Sequence, residues 1–207
     1  MLANTTEIQQ RIDTITRILD VTIPSAALDQ LARWIEQVLT WNQRIDLTAA
    51  RTLDELVDLC LADAIEISKT IAEGLSIVDI GTGAGAPGLP LAILRPDLNI
   101  TLVEPLAKRV AFLRTVIGSL HITATVEKKK GEQLLDRTFD IAVSRATLNP
   151  TAWLSLGLRL VNKQGRVAVL LARKEAPQVE GIVMHEETTY TWPLTQASRR
   201  LLWYQRP

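Results

Sequence analysis

The architecture of this 207-residue chain is set by one segment, Asp79-Ile80-Gly81-Thr82-Gly83-Ala84-Gly85-Ala86-Pro87-Gly88. It follows the short apolar, β-branched run from Leu75 to Ile80, which is typical of a buried strand. Glycines directly after a strand permit positive φ and let a ligand approach the backbone closely. In an open α/β sheet, ligands bind at this end of the strands. The segment therefore predicts a ligand-binding loop between the first strand and a helix.

Two cofactors fit the glycine spacing. Counted from Gly83, residues 83–88 match the G-x-G-x-x-G pattern of a dinucleotide site, with an acidic residue, Glu104, 21 positions further on. Counted from Gly81, the glycines at 81, 83 and 85 after Asp79 are typical of an S-adenosylmethionine site. A dinucleotide site has its first glycine directly after the strand, which favours counting from Gly81, where the dinucleotide match is only partial. S-adenosylmethionine is therefore the predicted cofactor, with a dinucleotide or a turn without any ligand as the alternatives.

The rest of the chain alternates between strand-like and helical patterns. Further strands are predicted at 100–104, 123–127, 139–143 and 165–172, with helices at 87–94, 106–120 and 150–160 between several of them. This alternation indicates an α/β fold with a mainly parallel sheet covered on both faces. Two tail segments, 188–192 and 201–205, are predicted to form an antiparallel hairpin at the sheet edge. We expect an N-terminal helical cap over residues 1–73 and a Rossmann-like domain over residues 74–207.

Composition excludes several classes of protein. The chain has 23 basic and 23 acidic residues, but residues 1–73 are acidic overall and residues 74–207 basic, which suggests an anionic partner for the larger part. A single cysteine, Cys60, and two histidines argue against a disulfide framework and a metal site. No apolar run approaches the ~20 residues of a membrane span. We expect a cytoplasmic, metal-free protein that does not enter a membrane.

Three further motifs accompany the glycine loop. Trp41-Asn42 is followed by Leu47-Thr48, residues 108–114 read Lys-Arg-Val-Ala-Phe-Leu-Arg, and Phe139-Asp140 leads to Ser144-Arg145-Ala146. Their order and spacing over residues 30–150 resemble the glucose-inhibited division protein B family. These bacterial enzymes methylate guanine N7 in 16S ribosomal RNA.

The resemblance implies a class I S-adenosylmethionine-dependent methyltransferase that acts on a guanine in the 530-loop region of 16S ribosomal RNA. The expected partner is this RNA or the small ribosomal subunit, and the expected state is a monomer. The resemblance also places cofactor contacts at several positions of this chain, and the loop pattern adds others. Together the predicted cofactor-binding residues are Asp79, Gly81, Gly83, Gly85, Ala86, Glu104 on the ribose hydroxyls, Gly131, Glu132 and Arg145.

The chain also departs from the family pattern. Where the family has Asn before Leu-Thr, it has Asp46. The family's R-H-x-L-D-S becomes residues 59–64, Leu-Cys-Leu-Ala-Asp-Ala, in which Asp63 is kept and the Arg and His are lost. The family's Lys-Gly after the fifth strand becomes Leu171-Ala172, directly followed by Arg173-Lys174. These losses leave open an enzyme with another RNA or a small molecule as acceptor. A second alternative is a non-catalytic protein that keeps the cofactor pocket and acts as an RNA-binding or assembly factor.

The residue types favour a ring nitrogen as the methyl acceptor. Guanine N7 has a free lone pair and needs no general base, whereas cytosine C5 chemistry needs a nucleophilic cysteine, and Cys60 lies in an apolar helix typical of a core. Arg145 is the predicted catalytic residue, able to contact a guanine edge, a phosphate or the cofactor carboxylate. Its alternative role is an ion pair with Asp140 or Glu132. The predicted substrate-binding residues form a basic edge for RNA phosphates: Lys108, Arg109 and Arg114.

Overall fold

The computed structural model describes residues 4–145, 148–172 and 175–207. Three helices come first and are followed by seven strands with further helices between them. The elements are α1 (Thr5–Ile18), α2 (Ser25–Asn42), α3 (Leu53–Lys69), β1 (Ser76–Ile80), α4 (Gly88–Leu94), β2 (Asn99–Val103), α5 (Ala107–Leu120), β3 (Thr125–Glu127), a 3-10 helix (Gly131–Leu134), β4 (Phe139–Val143), α6 (Pro150–Leu160), β5 (Val161–Leu171), β6 (Val183–Thr191) and β7 (Ser198–Gln205).

The seven strands form one sheet in the order β3-β2-β1-β4-β5-β7-β6. Strands β1 to β5 pair in parallel, while β7 pairs antiparallel with both β5 and β6. The predicted mainly parallel α/β sheet and the antiparallel hairpin at its edge are confirmed. Since β1 and β4 are neighbours while β2 lies on the other side of β1, the strand order reverses at β1. Ligands bind at this position in open α/β sheets.

Helices cover both faces of the sheet, as the side-chain alternation of β1 shows. Ile77 joins the hydrophobic cluster beneath α1 to α5, whereas Val78 and Ile80 join the cluster beneath α6 and the 3-10 helix. Successive strand residues point to opposite faces, so a strand covered on both sides is apolar without interruption. This double burial explains why two consecutive residues of β1, Ile77 and Val78, are both apolar.

The N-terminal helices share a core with the sheet. Ile8 of α1, Trp34 of α2 and Leu61 of α3 are fully buried, and all three belong to the cluster that also contains Ile77 and Trp203 of the sheet. Apolar core therefore runs across residue 73 without a break. The division into a cap and a Rossmann-like domain at that residue stays a prediction.

Local signals fix several helix ends. The Thr52 hydroxyl accepts a hydrogen bond from the Glu55 amide (3.1 Å) at the start of α3, and the Asn149 side chain accepts from the Ala152 amide (2.9 Å) at the start of α6. Both are N-caps, and Pro150 occupies the first turn of α6. Helix α3 ends at Lys69, and the Thr70 amide still donates to the Ile67 carbonyl.

Two strands, β5 and β6, begin at least four residues earlier than predicted. Strand β5 starts at Val161 instead of residue 165, and β6 starts at Val183 instead of residue 188. Both early portions contain polar residues and an irregular register, so they lack an apolar strand pattern. In the part of the chain that the structure describes, no helix is both long enough and apolar enough to cross a membrane.

Candidate active site

The carboxyl ends of three neighbouring strands meet at one edge of the sheet. Gly81 follows β1, Glu104 follows β2, and Ser144-Arg145 follows β4. Because these strands are parallel neighbours, the residues that follow them lie side by side. The topology therefore brings the glycine loop, the predicted ribose-binding carboxylate and the predicted catalytic arginine to one site.

Asp79 holds the glycine loop in shape. Its side chain is fully buried, and Oδ2 accepts hydrogen bonds from the Thr82 hydroxyl (2.6 Å) and the Gly88 amide (2.8 Å). Burial raises the pKa of Asp79 to about 6, although both hydrogen bonds favour the carboxylate. Its other oxygen, Oδ1, is buried and has no hydrogen-bond partner among the described residues. The structure thus shows Asp79 closing the loop, and its predicted contact with the cofactor stays a prediction.

The loop glycines divide into two kinds. Gly81 and Gly83 adopt φ of +68° and +58° and are half-exposed, and a Cβ on Gly83 would come no closer than 3.6 Å to its nearest neighbour, the Leu47 carbonyl oxygen. Gly85 instead faces the interior, where a Cβ would lie 3.0 Å from the Leu89 Cβ. Ala86 is buried as well. Gly81 and Gly83 therefore expose backbone at the surface of the loop, while Gly85 and Ala86 have a packing role, and a cofactor contact stays a prediction for all four residues.

Glu104 is a buried carboxylate fixed against the loop. It is 2% exposed, Oε2 accepts from the Gly83 amide (3.1 Å), and Oε1 accepts from the Leu106 amide (2.9 Å). Each oxygen has further lone pairs, so the carboxylate can still accept hydrogen bonds from two hydroxyls of a sugar. The position fits the ribose role predicted for Glu104.

The N-terminal helices support the loop from behind. Trp34 of α2 donates from Nε1 to the Ala84 carbonyl (3.0 Å). At the end of α2, the Asn42 Oδ1 accepts from the Leu47 amide (2.8 Å) and the Thr48 amide (3.1 Å). This turn carries the Leu47 carbonyl toward Gly83. The Trp-Asn and Leu-Thr motif therefore acts as a scaffold for the glycine loop.

Gly131 and Glu132 begin the 3-10 helix that follows β3. Gly131 is buried, and a Cβ there would lie 3.0 Å from Ile80 Cγ2 at the end of β1. Glu132 is exposed. Gly131 thus packs against the end of β1, and the cofactor contacts of Gly131 and Glu132 stay predictions.

Arg145 faces α3. Its Nη1 lies 3.6 Å from Oδ2 of Asp63 and donates to the Leu59 carbonyl, and the side chain is 20% exposed. The alternative predicted partner, Asp140, lies at the other end of β4, where it accepts from Ser76 and Asn162. The ion pair seen in the structure therefore joins Arg145 to Asp63.

Asp63 connects three elements. It is 2% exposed, and Oδ1 accepts from the Tyr190 hydroxyl (2.7 Å) and from Trp192 Nε1 (2.8 Å). Burial, together with the charge of Asp63, raises the pKa of Tyr190, which keeps the hydroxyl protonated as a donor. Asp63 thus ties α3 to the C-terminal hairpin and to Arg145. The only sequence signal for it was its retention within a family motif whose Arg and His are lost.

A cavity of about 340 Å³ lies next to Arg145, away from the glycine loop. Its walls come from α3, from the ends of β4 and β5, from the start of α6 and from the hairpin. The lining residues are Glu55, Leu59, Asp63, Ser144, Arg145, Leu148, Pro150, Trp153, Val169, Leu170, Leu171, Ala172, Trp192 and Arg199. Three of them, Leu59, Leu171 and Ala172, are positions where the chain departs from the family pattern. Arg173 and Lys174, which follow them, lie outside the described residues, as does Ala146 of the Ser-Arg-Ala motif.

The three residues of the predicted basic edge differ in their surroundings. Arg109 donates from Nε to the Asp46 carbonyl (2.8 Å), and its Nη1 lies 3.9 Å from Glu104 Oε2. Arg109 therefore lies beside the Glu104 carboxylate. Lys108 and Arg114 are exposed on α5. Only these two present freely accessible side chains along the predicted edge, and their contact with RNA stays a prediction.

The site has the features that S-adenosylmethionine needs. Gly81 and Gly83 have positive φ, Gly83 leaves room over the backbone after β1, and the buried Glu104 carboxylate offers acceptor lone pairs at the end of β2. A buried carboxylate beside an open glycine loop suits a ribose and also favours a cationic ligand. In residues 4–145, 148–172 and 175–207, no group of three His, Cys, Asp or Glu side chains could hold a metal ion.

Comparisons with known proteins agree with this geometry. Residues 27–195 match the profile of the rRNA small subunit methyltransferase G family. The chain is 30% identical to ribosomal RNA small subunit methyltransferase G of Anaeromyxobacter dehalogenans over 199 residues, which covers 91% of this chain and 93% of that protein. It is 39% identical to the Clostridium botulinum protein of the same name over 145 residues, 66% of this chain and 61% of that one. A TehB-like SAM-dependent methyltransferase from Corynebacterium glutamicum has a similar fold, with a TM-score of 0.53 and 15% identity over 71% of this chain and 88% of that one.

Proposed function

The chain belongs to the rRNA small subunit methyltransferase G family, and we propose that it transfers a methyl group from S-adenosylmethionine to N7 of a guanine in the 530-loop region of 16S ribosomal RNA. The class of enzyme, an S-adenosylmethionine-dependent methyltransferase, and its cofactor follow from this membership. The observation that supports the acceptor best is the combination of a family-type cofactor loop with an Arg145 whose nearest carboxylate, Asp63, is already paired, in a described cavity lining that contains no histidine. Arg145 is a permanently charged donor, and Asp63 is committed to an ion pair. Such a site suits a nitrogen with a free lone pair.

The residues of the site would act mainly by alignment. Bound S-adenosylmethionine supplies an electrophilic methyl group. Gly81 and Gly83 let the cofactor approach the backbone, and Glu104 accepts from the ribose hydroxyls. Arg145, held against Asp63, lies between the cofactor edge and the neighbouring cavity. In-line displacement gains most from fixing the acceptor and the methyl group in one line, and these contacts would provide that order.

Lys108 and Arg114 are the proposed RNA contacts on α5. Both are exposed, and neighbouring positive charges attract phosphates irrespective of sequence. We expect the double variant K108Q/R114Q to weaken binding to small subunits and to flatten the salt dependence of log K by about one to two units of slope. An unchanged slope would remove these residues from the RNA interface. The proposed working state is a monomer in the cytoplasm, where its ribosomal substrate is found, and sedimentation of the pure protein would test the monomer.

The decisive experiment is methyl transfer from labelled S-adenosylmethionine to small ribosomal subunits that lack the modification, followed by nucleoside mass analysis. We expect 7-methylguanosine to appear. Subunits that already carry the modification serve as the matched control and should accept no label. Label in another nucleoside, or none in unmodified subunits although the cofactor binds, would contradict the proposed acceptor.

A different acceptor is the second candidate. It is favoured by one observation: Leu59, Leu171 and Ala172, which replace family residues, all line the cavity beside Arg145. These replacements remove two cationic side chains of the family pattern from that region. Offering total cellular RNA in the same labelling experiment would identify such an acceptor by its labelled nucleoside.

A further inference from the structure

The cavity beside Arg145 is suited to an aromatic base. Most of its lining side chains are apolar, and Trp153 and Trp192 are among them. Its volume of about 340 Å³ falls within the roughly 300 to 1,000 Å³ of small-molecule sites. Enzymes that modify a base in RNA hold it in such a pocket, between apolar or aromatic side chains with a few polar groups at its edge.

The cavity lies on the far side of Arg145 from the cofactor loop. None of the glycine-loop residues from Gly81 to Gly88 belongs to its lining, whereas Ser144 and Arg145 do. Arg145 therefore stands at the border between the cofactor edge and the cavity. A base in the cavity would have one edge directed toward that border, where methyl transfer takes place.

The negative charge of Asp63 has a specific electrostatic role in this cavity. When N7 is methylated, its lone pair forms the new N–CH₃ bond, the S–CH₃ bond breaks, and the electron pair of that bond stays on sulfur. The positive charge consequently moves from sulfur to the purine ring. An uncompensated arginine beside the ring would oppose this movement, because like charges repel. The Asp63 carboxylate lies 3.6 Å from Arg145 Nη1 and compensates its charge.

The positive and negative charges of the described lining cancel. It contains two arginines, Arg145 and Arg199, and two carboxylates, Glu55 and Asp63. The Arg199 guanidinium carbon lies 3.6 Å from the centre of the Trp192 ring, which keeps this cation on the hairpin wall. A lining whose described residues carry no net charge suits a neutral base and tolerates the cationic product.

From these observations we propose that the cavity between α3 and the C-terminal hairpin holds the acceptor purine base, and that Asp63 is a positioning residue that holds Arg145 and balances its charge there. The inference rests on the proposed function and deepens it. Arg145 would donate to the exocyclic oxygen of guanine and leave N7 free, since a nitrogen whose lone pair accepts a hydrogen bond cannot attack the methyl group. Tyr190 and Trp192 would fix Asp63 through its other oxygen.

The first test fills the cavity without touching the cofactor loop. Ala172 is exposed at the cavity wall, so A172F should place a ring in the cavity and leave the fold intact. Ala26, exposed at the start of α2, gives the matched control A26F. Binding of guanosine, measured by saturation-transfer NMR, should be seen with the wild type and A26F and be lost in A172F. The Kd for S-adenosylmethionine should agree within about twofold among the three proteins.

This test distinguishes the assignment of the cavity from the proposal that the acceptor is ribosomal RNA. Guanosine binding that persists in A172F, or that is absent from the wild type, would overturn the inference. If guanosine binds through the cavity while unmodified subunits receive no label, the cavity assignment stands and the proposed ribosomal acceptor fails. The two hypotheses therefore fail in different measurements.

The second test concerns charge. In D63N the amide oxygen can still accept from Tyr190 and Trp192, but the charge beside Arg145 is lost. D58N is the matched control, because Asp58 is also a buried aspartate of α3 and binds the hairpin turn at Leu194 and Thr195. We expect kcat of D63N to fall about tenfold per folded molecule, equivalent to about 1.4 kcal/mol, with S-adenosylmethionine affinity preserved. Equal kcat in D63N and D58N would remove Asp63 from the reaction and leave it a structural role.

Discussion

Alanine at Gly88 should distort the cofactor loop from its inner side. Gly88 is the first residue of α4, and its amide donates to Asp79 Oδ2. A Cβ at this position would lie 2.5 Å from Leu102 Cδ2, 2.8 Å from Asp79 Oδ2 and 2.9 Å from Asp79 Cβ. Leu102 and Asp79 are both fully buried, so neither can move into solvent. G88A therefore forces the start of α4 away from β1 and β2.

The expected cost follows from two contributions that overlap. Overpacking of a filled core costs about 1 to 3 kcal/mol. Weakening a hydrogen bond to a charged group costs about 1.5 to 3 kcal/mol. Because the same displacement relieves the clash and stretches the hydrogen bond, the two do not add fully, and we expect about 2 to 4 kcal/mol in the free energy of unfolding. In a chain of this size that lowers Tm by roughly 5 to 15 °C.

Thermal unfolding and titration with S-adenosylmethionine check this expectation. The matched control is G118A in α5, because a Cβ at Gly118 would meet nothing within 4 Å. Alanine in a helix is favoured over glycine by about 0.5 to 1 kcal/mol, so G118A should be slightly more stable than the wild type. G88A should also bind S-adenosylmethionine more weakly, because Gly81 and Gly83 belong to the loop that it displaces. A G88A protein within about 0.5 kcal/mol of the wild type, or a G118A protein as unstable as G88A, would refute the packing argument.

Three other substitutions test separate parts of the site. E104Q replaces an acceptor oxygen with an amide donor that faces the Gly83 or Leu106 amide, so S-adenosylmethionine affinity should fall at least about tenfold by calorimetry; unchanged affinity would place the ribose elsewhere. W34F leaves the buried Ala84 carbonyl without its donor and should cost about 1 to 3 kcal/mol in denaturant unfolding, and a cost near zero would show that the loop does not depend on α2. C60A should keep methyl transfer in the labelling assay, because burial raises the pKa of the Cys60 thiol to about 12 and keeps it protonated; a loss of transfer in folded protein would contradict the ring-nitrogen mechanism.

Local sequence signals were sufficient for the parts of the fold that depend on neighbouring residues. A strand followed at once by glycines predicted the position of the cofactor loop. Thr52 and the Asn149-Pro150 pair have the residue types that begin a helix, and the structure shows a helix starting at each. In these cases the deciding hydrogen bond joins residues three apart in sequence, so the pattern itself contains both partners.

Contacts between residues far apart in the chain could not be predicted from the sequence. Asp63 and Tyr190 are 127 positions apart, and Asp63 and Trp192 are 129 positions apart, so no spacing rule connects them. Arg109 has the residue type and helix position of an RNA contact, yet it folds back to Asp46 and Glu104. A charged residue on a helix can face solvent or a neighbouring loop, and only the packing of α5 against the chain after α2 decides between the two.

The N-terminal helices contact the residues of the candidate site directly. Trp34 and Asn42 of α2 hold the glycine loop and the turn beside it, while Asp63 of α3 holds Arg145 and the hairpin. In the proposed reaction the cofactor side thus depends on α2 and the acceptor side on α3, and both helices contribute to one continuous core with the sheet. We therefore expect a change in α2 to act on cofactor binding and a change in α3 to act on the acceptor. The Trp-Asn motif kept in α2 and the departures from the family pattern in α3, beside the cavity, fit this expected division.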